Sequence, residues 1–182
     1  MADRPDTAAR RDDTRDPHAS RMAALRVLYA ADVRGIDPLD VLQEELESGP
    51  SDDAELGTAP MDRFAMTLLH GLAASIPEHD ARIARFARGW RLERMPAIDR
   101  NVLRLAVHEL LTEPTPVPVV IDEAVRLAAE LSTDDSGRYV NGVLSAIVRE
   151  LAEQAADTSQ VAPEDETPAL RDETAPEGEI QA

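Results

Sequence analysis

Residues 97–112, Ala-Ile-Asp-Arg-Asn-Val-Leu-Arg-Leu-Ala-Val-His-Glu-Leu-Leu-Thr, constrain this chain more than any other stretch. Written on a helix, Ile98, Val102, Leu103, Leu105, Ala106, Val107, Leu110 and Leu111 leave almost no polar face. Such a helix has to be surrounded by other elements. Pro96 stands where a first helical residue tolerates proline, and Glu-Pro-Thr-Pro-Val-Pro (113–118) ends the run.

The remaining periodic segments supply the surroundings. A helix over about 20–34 turns Met22, Leu25, Leu28 and Tyr29 inward and stops at Gly35. A short one follows near 38–47 (Leu39, Leu42, Leu46), and 48–60 reads as a loop by composition. Residues 61–76 have the cleanest stripe: Met61, Phe64, Ala65, Leu68, Leu69, Leu72, Ile76. Pro77 restarts a helix to about 88, burying Ile83, Phe86 and Ala87, and Ile121 to Leu131 forms another. The last helix carries Val140, Val143, Leu144, Ile147, Val148 and Leu151, with Ser132 and Asp135 at capping-box spacing before it. Gly142 interrupts it at a cost of about 1 kcal/mol against Ala. That suggests close approach of another backbone or a ligand, and for Asn141 and Gly142 we favour a role in helix packing and hydrogen bonding at the helix start. No segment sustains strand alternation, so the expected fold is all-α, a compact helical bundle.

Three regions emerge: a flexible arm (1–19), a helical domain (20–157) and an acidic tail (158–182). The tail carries seven acids against Arg171 and cannot bury enough apolar surface to offset ordering entropy, so it is expected to be disordered. The formal charge of the chain is −17, which argues against indiscriminate nucleic-acid binding. Residues 82–104 invert it, with arginines 82, 85, 88, 91, 94, 100 and 104 against Glu93 and Asp99. The stripe Arg82, Arg85, Arg88 is a candidate basic face, although a solvated helix face pairing with acids elsewhere is the preferred reading. There is no cysteine for disulfides or thiolate metal sites, no apolar run of membrane-spanning length and no signal-peptide core, so a cytoplasmic protein is expected.

Catalytic patterns are missing. No Gly-rich phosphate loop, G-x-S-x-G elbow or H-E-x-x-H pair occurs. His70 and His79 lack a third ligand at suitable spacing, and His108 suits an interhelical hydrogen bond better than general-base work. The expectation is a non-enzyme with no cofactor, no metal and no catalytic residue.

Five segments, in order, resemble the NusB family of transcription antitermination factors: Arg21-Met-Ala-Ala-Leu-Arg-Val-Leu-Tyr29; His79-Asp-Ala-Arg-Ile83 leading to Trp90; Ile98-Asp-Arg-Asn-Val-Leu-Arg-Leu-Ala-Val-His-Glu-Leu110; Pro118-Val-Val-Ile-Asp-Glu-Ala-Val-Arg-Leu-Ala128; and Ser136-Gly-Arg-Tyr-Val-Asn-Gly-Val-Leu144. The resemblance implies about seven helices. It also implies binding of single-stranded boxA-type leader RNA together with NusE, a small-subunit ribosomal protein, within the transcribing RNA polymerase complex during ribosomal RNA synthesis. Positions matching the family's RNA-facing region are Arg10, Arg11, Arg15, Arg21, Tyr29, Asp135, Arg138 and Tyr139, and those matching partner-facing positions are Asp99 and Leu131. Aromatic rings and Arg planes are what unpaired bases stack on; read without the resemblance, each tyrosine serves equally well as a rim over the core. One departure stands out. Residues 1–21 hold five arginines and five aspartates, so this arm has no net charge and should show a shallow salt dependence. Two other readings are a NusB-like protein-interaction scaffold without RNA specificity, and a stand-alone relative of the N-terminal domain of ribosomal RNA cytosine methyltransferases. The latter enzymes need a downstream catalytic domain with cysteines, which this chain does not contain.

Overall fold

A computed structural model describes residues 16–48, 59, 61–87 and 89–160. Among these are seven α-helices and no strand: α1 Pro17–Arg34, α2 Pro38–Ser48, α3 Arg63–Ala73, α4 Ile76–Phe86, α5 Ala97–Thr112, α6 Val117–Leu131 and α7 Ser136–Gln160, with a 3-10 turn at Leu92–Arg94 between α4 and α5.

The helix apolar on every side is central. α5 packs against α1, α3, α4, α6 and α7. Its Val102, Leu103, Ala106 and Val107 join a core built from α4, α6, α7 and Leu25 of α1, while Leu105 points into a second core made by α1, α2 and α3. Leu111 falls outside both and is exposed, as is Leu46 of α2, whose buried pair is Val41 and Leu42.

Several boundaries differ from the sequence expectation. α1 starts at Pro17, inside the segment assigned to the arm, because the Asp16 carboxylate accepts the His18 N–H and Pro17 occupies the first turn. His18 Nδ1 then lies 2.8 Å from Glu123 Oε2, tying this end to α6. α6 starts at Val117 with Pro118 in its first turn, so the proline run opens that helix as well as closing α5. α7 continues to Gln160, into the segment assigned to the tail. The expectations for residues 1–15 and 161–182 lie outside the described residues. Gly137, not Gly142, is where α7 approaches α6: a Cβ on Gly137 would lie 3.4 Å from the Val125 carbonyl oxygen, whereas one on Gly142 meets nothing within 4 Å. Asn141 and Gly142 are exposed, which corrects their assignment to helix packing.

Most buried polar groups inside the bundle are paired. Arg21 Nε donates to Glu109 Oε2 at 2.8 Å and Nη2 donates to Oε1, with the guanidinium 5.4 Å from the Phe64 ring centre. Asp32 accepts from Arg100, Asn101 and Arg104, and Arg104 forks onto Asp80 at 2.7 Å to each oxygen. Arg100 also donates to the carbonyls of Leu92 and Met95, fastening the 3-10 turn to α5. His79 Nε2 and His108 Nδ1 meet at 3.2 Å between α4 and α5, the interhelical hydrogen bond preferred for His108. Gly71 of α3 leaves room for that ring: a Cβ there would sit 2.5 Å from His108 Nε2.

Removing Glu109 leaves the buried Arg21 with only the Pro17 carbonyl and a 4.0 Å contact to Glu123, so Glu109→Ala should cost about 3–5 kcal/mol in urea unfolding; a loss below 1 kcal/mol would show that Glu123 takes over the charge or that Arg21 escapes to solvent. Burial, reinforced by the neighbouring His108, lowers the His79 pKa from its ordinary 6.5 to about 4, and burial lowers that of His108 also. The unfolded chain therefore binds protons near pH 6.5 that the folded chain refuses until about pH 4. Stability falls as pH falls through that window. Between pH 7.5 and 5 the expected loss from this pair is about 1–2 kcal/mol, and a His79→Gln variant should show a flatter profile. An identical slope in the variant would place the titration elsewhere.

Candidate nucleic-acid interface

The link between α6 and α7 is short, and Ser136 organises it. Its Oγ donates to Asp99 Oδ2 at 2.9 Å and accepts the Thr133 N–H at 3.2 Å. α7 therefore begins on top of the first turn of α5, where a carboxylate also suits the helix dipole. Asp135 and Arg138, on the outer side of this turn, are each 89 % exposed and only 4.0 Å apart at their charged ends. Tyr139 follows on the inner side. Its ring is half-buried and lies 5.1 Å from the Trp90 ring at 50°, a tilted aromatic pair. The Tyr139 hydroxyl and Asp99 Oδ1 are both buried without a hydrogen-bond partner among the described residues. Burial first, and then the Asp99 charge, raise the phenol's pKa above its usual 10.

Beside Tyr139 opens a cleft of about 690 Å³ between α4 and α7. Arg85 and Phe86 form one wall; Arg138, Tyr139, Gly142, Val143, Ala146 and Arg149 form the other, with Glu150 and Glu153 at the far end. The α7 contributors recur at helical spacing next to the apolar stripe of the same helix. That second stripe was present in the sequence but hidden by the stronger core pattern. Glu150 accepts from both Arg82 and Arg85. The stripe Arg82, Arg85 is thus a face paired with an acid of α7, and Arg88 lies outside the described residues.

The residues singled out from sequence divide into three groups. Asp135, Arg138 and Tyr139 are brought together at the start of α7. Tyr29 is half-buried against the larger core on α1, and Leu131 packs on the same core in the last turn of α6. Arg21 and Asp99 are corrections: at 4 % and 0 % exposure they face inward. Arg21 is consumed by Glu109, and Asp99 is consumed by Ser136 beneath the α6–α7 link, so neither is presented at the surface. Arg10, Arg11 and Arg15 lie outside the described residues. Among the described residues no group of three His, Asp or Glu side chains suits a metal ion, and no helix is long and apolar enough to cross a membrane.

The NusB family pattern matches residues 18–149. The transcription antitermination protein NusB of Streptomyces avermitilis is 42 % identical over 128 residues, 70 % of this chain and 87 % of that protein. The NusB of Acidothermus cellulolyticus is 45 % identical over 129 residues, 70 % of this chain and 83 % of that one. Among solved structures, T. maritima NusB matches with a TM-score of 0.63 at 33 % identity, covering 75 % of this chain and 92 % of its own. A chain from the crystal structure of antitermination factors NusB and NusE with double-stranded RNA matches at 0.60 and 28 % identity, covering 74 % and 96 %. With most of the helical domain matched in sequence and in backbone alike, this chain belongs to the NusB family of transcription antitermination factors, which are not enzymes.

Proposed function

We propose that this protein binds single-stranded boxA-type leader RNA jointly with NusE, and that the assembly joins the transcribing RNA polymerase complex in the cytoplasm so that ribosomal RNA synthesis resists termination. The observation that carries the reading is the match to a chain from the structure of NusB and NusE with double-stranded RNA, over nearly all of that chain's length. The local chemistry supports it. Arg138 is an exposed cation with only a 4.0 Å contact to Asp135, and it adjoins the part-exposed Tyr139–Trp90 pair. Forked cations and aromatic faces together suit unpaired nucleotides better than duplex. The net charge of −17 favours a second reading, a scaffold that meets a basic partner without RNA.

Fluorescence anisotropy separates the two. Labelled boxA-type RNA and a scrambled control are titrated with this protein, with and without NusE, across a salt series. Preferential binding of the boxA-type RNA, strengthened by NusE, is expected; by reciprocity the RNA then strengthens NusE binding by the same factor. Equal affinity for both RNAs under every condition would overturn the reading and favour the scaffold. In the same assay Tyr139→Ala should weaken the ternary complex by about 1–3 kcal/mol through lost stacking. Unchanged affinity in a folded variant would make Tyr139 a rim residue.

A further inference from the structure

We propose that the acidic segment 161–182 competes, from within the chain, for the arginines displayed along one face of α7. Its carboxylates pair with Arg149 and Arg138 and hold other polyanions off until a better ligand displaces them. The contact stands by itself, while its consequence for RNA rests on the RNA-binding reading above.

Three observations carry it. The first is complementary charge. Segment 161–182 carries seven acids against Arg171. In the bundle, Arg82 and Arg85 share Glu150, while Arg100 and Arg104 are held by Asp32 and Asp80. Arg138 and Arg149 both line the α4–α7 cleft and are exposed. Arg149 has no ion pair among the described residues, and Arg138 has only its 4.0 Å contact to Asp135. Of the two acids lining the cleft, Glu150 is taken by Arg82 and Arg85, so only Glu153 opposes an incoming carboxylate.

The second observation is spacing. α7 runs to Gln160, so at a rise of about 1.5 Å per residue Arg149 lies about 17 Å back along the helix and Arg138 about 33 Å. The two are eleven positions apart, close to three whole turns, and so share a face. An extended chain covers about 3.3 Å per residue, so about five residues beyond Gln160 return to Arg149 and about ten to Arg138. Glu164, Asp165 and Glu166 fall at the first distance. Asp172, Glu173, Glu177 and Glu179 lie past the second, with slack to reach Arg138. Tethering sets the effective concentration of such a segment near the millimolar range, so even a weak contact is substantially occupied.

The third is where the shared domain stops. The family pattern closes at residue 149, and the alignments with the Streptomyces and Acidothermus proteins take in 70 % of the chain. The acidic segment lies outside that pattern, as an addition able to modulate the bundle without being part of its core. Acidic runs of this kind serve commonly as interaction segments.

The chain has no cysteine and a single tryptophan, Trp90, whose ring pairs with Tyr139 on the same face. Ala175→Cys in the full chain therefore takes one aminonaphthalene label, with Trp90 as its sole tryptophan donor. Strong energy transfer is expected at about 20 mM salt, falling at least about twofold by about 500 mM as charges are screened. The same fall is expected at low salt in Arg138→Gln/Arg149→Gln. Transfer indifferent to salt, or to loss of both arginines, would overturn the contact. Competition is read by anisotropy, with NusE present, on a full-length variant whose seven segment acids are replaced by their amides. It should bind boxA-type and scrambled RNA alike about fivefold or more tighter at low salt, because one competitor is removed from both. In the Arg138→Gln/Arg149→Gln background that gain should shrink below about twofold, since the contact is already lost. An equal gain in both backgrounds would mean repulsion at a distance and would overturn the competition. Absence of RNA binding by every variant, with transfer still dependent on salt and on the arginines, would remove the RNA-binding reading and uphold the contact.

Discussion

Everything in this bundle depends on burying α5 from all sides. An isolated helix with that sequence would expose apolar surface in every direction, and five other helices remove it from water. The hydrophobic effect sets the arrangement, yet it is not directional. Direction comes from the polar groups that α5 carries inward. Asp99, Asn101, Arg104, His108 and Glu109 each find a partner on a different element, and an unpaired charge or amide at those depths would cost several kcal/mol. Register follows from that. α1 is fixed by Arg21 on Glu109 and by Asp32 on the arginines, α4 by Asp80 and His79, and α7 by Ser136.

The same pairing determines how charge is displayed. Arginines are abundant between 82 and 104, but most are used to fasten helices together. Among the described residues Arg91 and Arg94 are exposed without an acidic partner and Arg138 has only a 4.0 Å contact to Asp135, so these three lie beside the aromatic pair with little local pairing. An acidic protein can therefore offer a local cationic surface without being attractive to nucleic acid everywhere. Such selectivity suits the RNA binding proposed above.

Reading outward from particular residues shows where sequence reasoning reaches its limit. The stripes on α3, α5 and α7 predicted their helices and most of their buried residues, because long apolar periodicity has few other solutions. α1 was harder: Ser20, Arg21 and Arg26 are buried on it along with the apolar residues, so its polar residues do not mark a solvent face. Arg21 looked like a phosphate ligand because nothing in a linear sequence reveals that Glu109, 88 residues away, accepts from its Nε and Nη2. Asp99 looked like a surface residue for the same reason. Gly142 was marked for a close approach that belongs to Gly137 instead.

The sequence by itself determined the helical class, the central place of α5 and the family, since these follow from local periodicity and residue chemistry. Only the tertiary structure decided which arginines are spent on buried carboxylates and which stay free. It alone placed Trp90 against Tyr139 and opened a cleft beside them. The physical reason is that a charge's role is set by its nearest opposite charge in space, and in this bundle that partner usually lies on another helix.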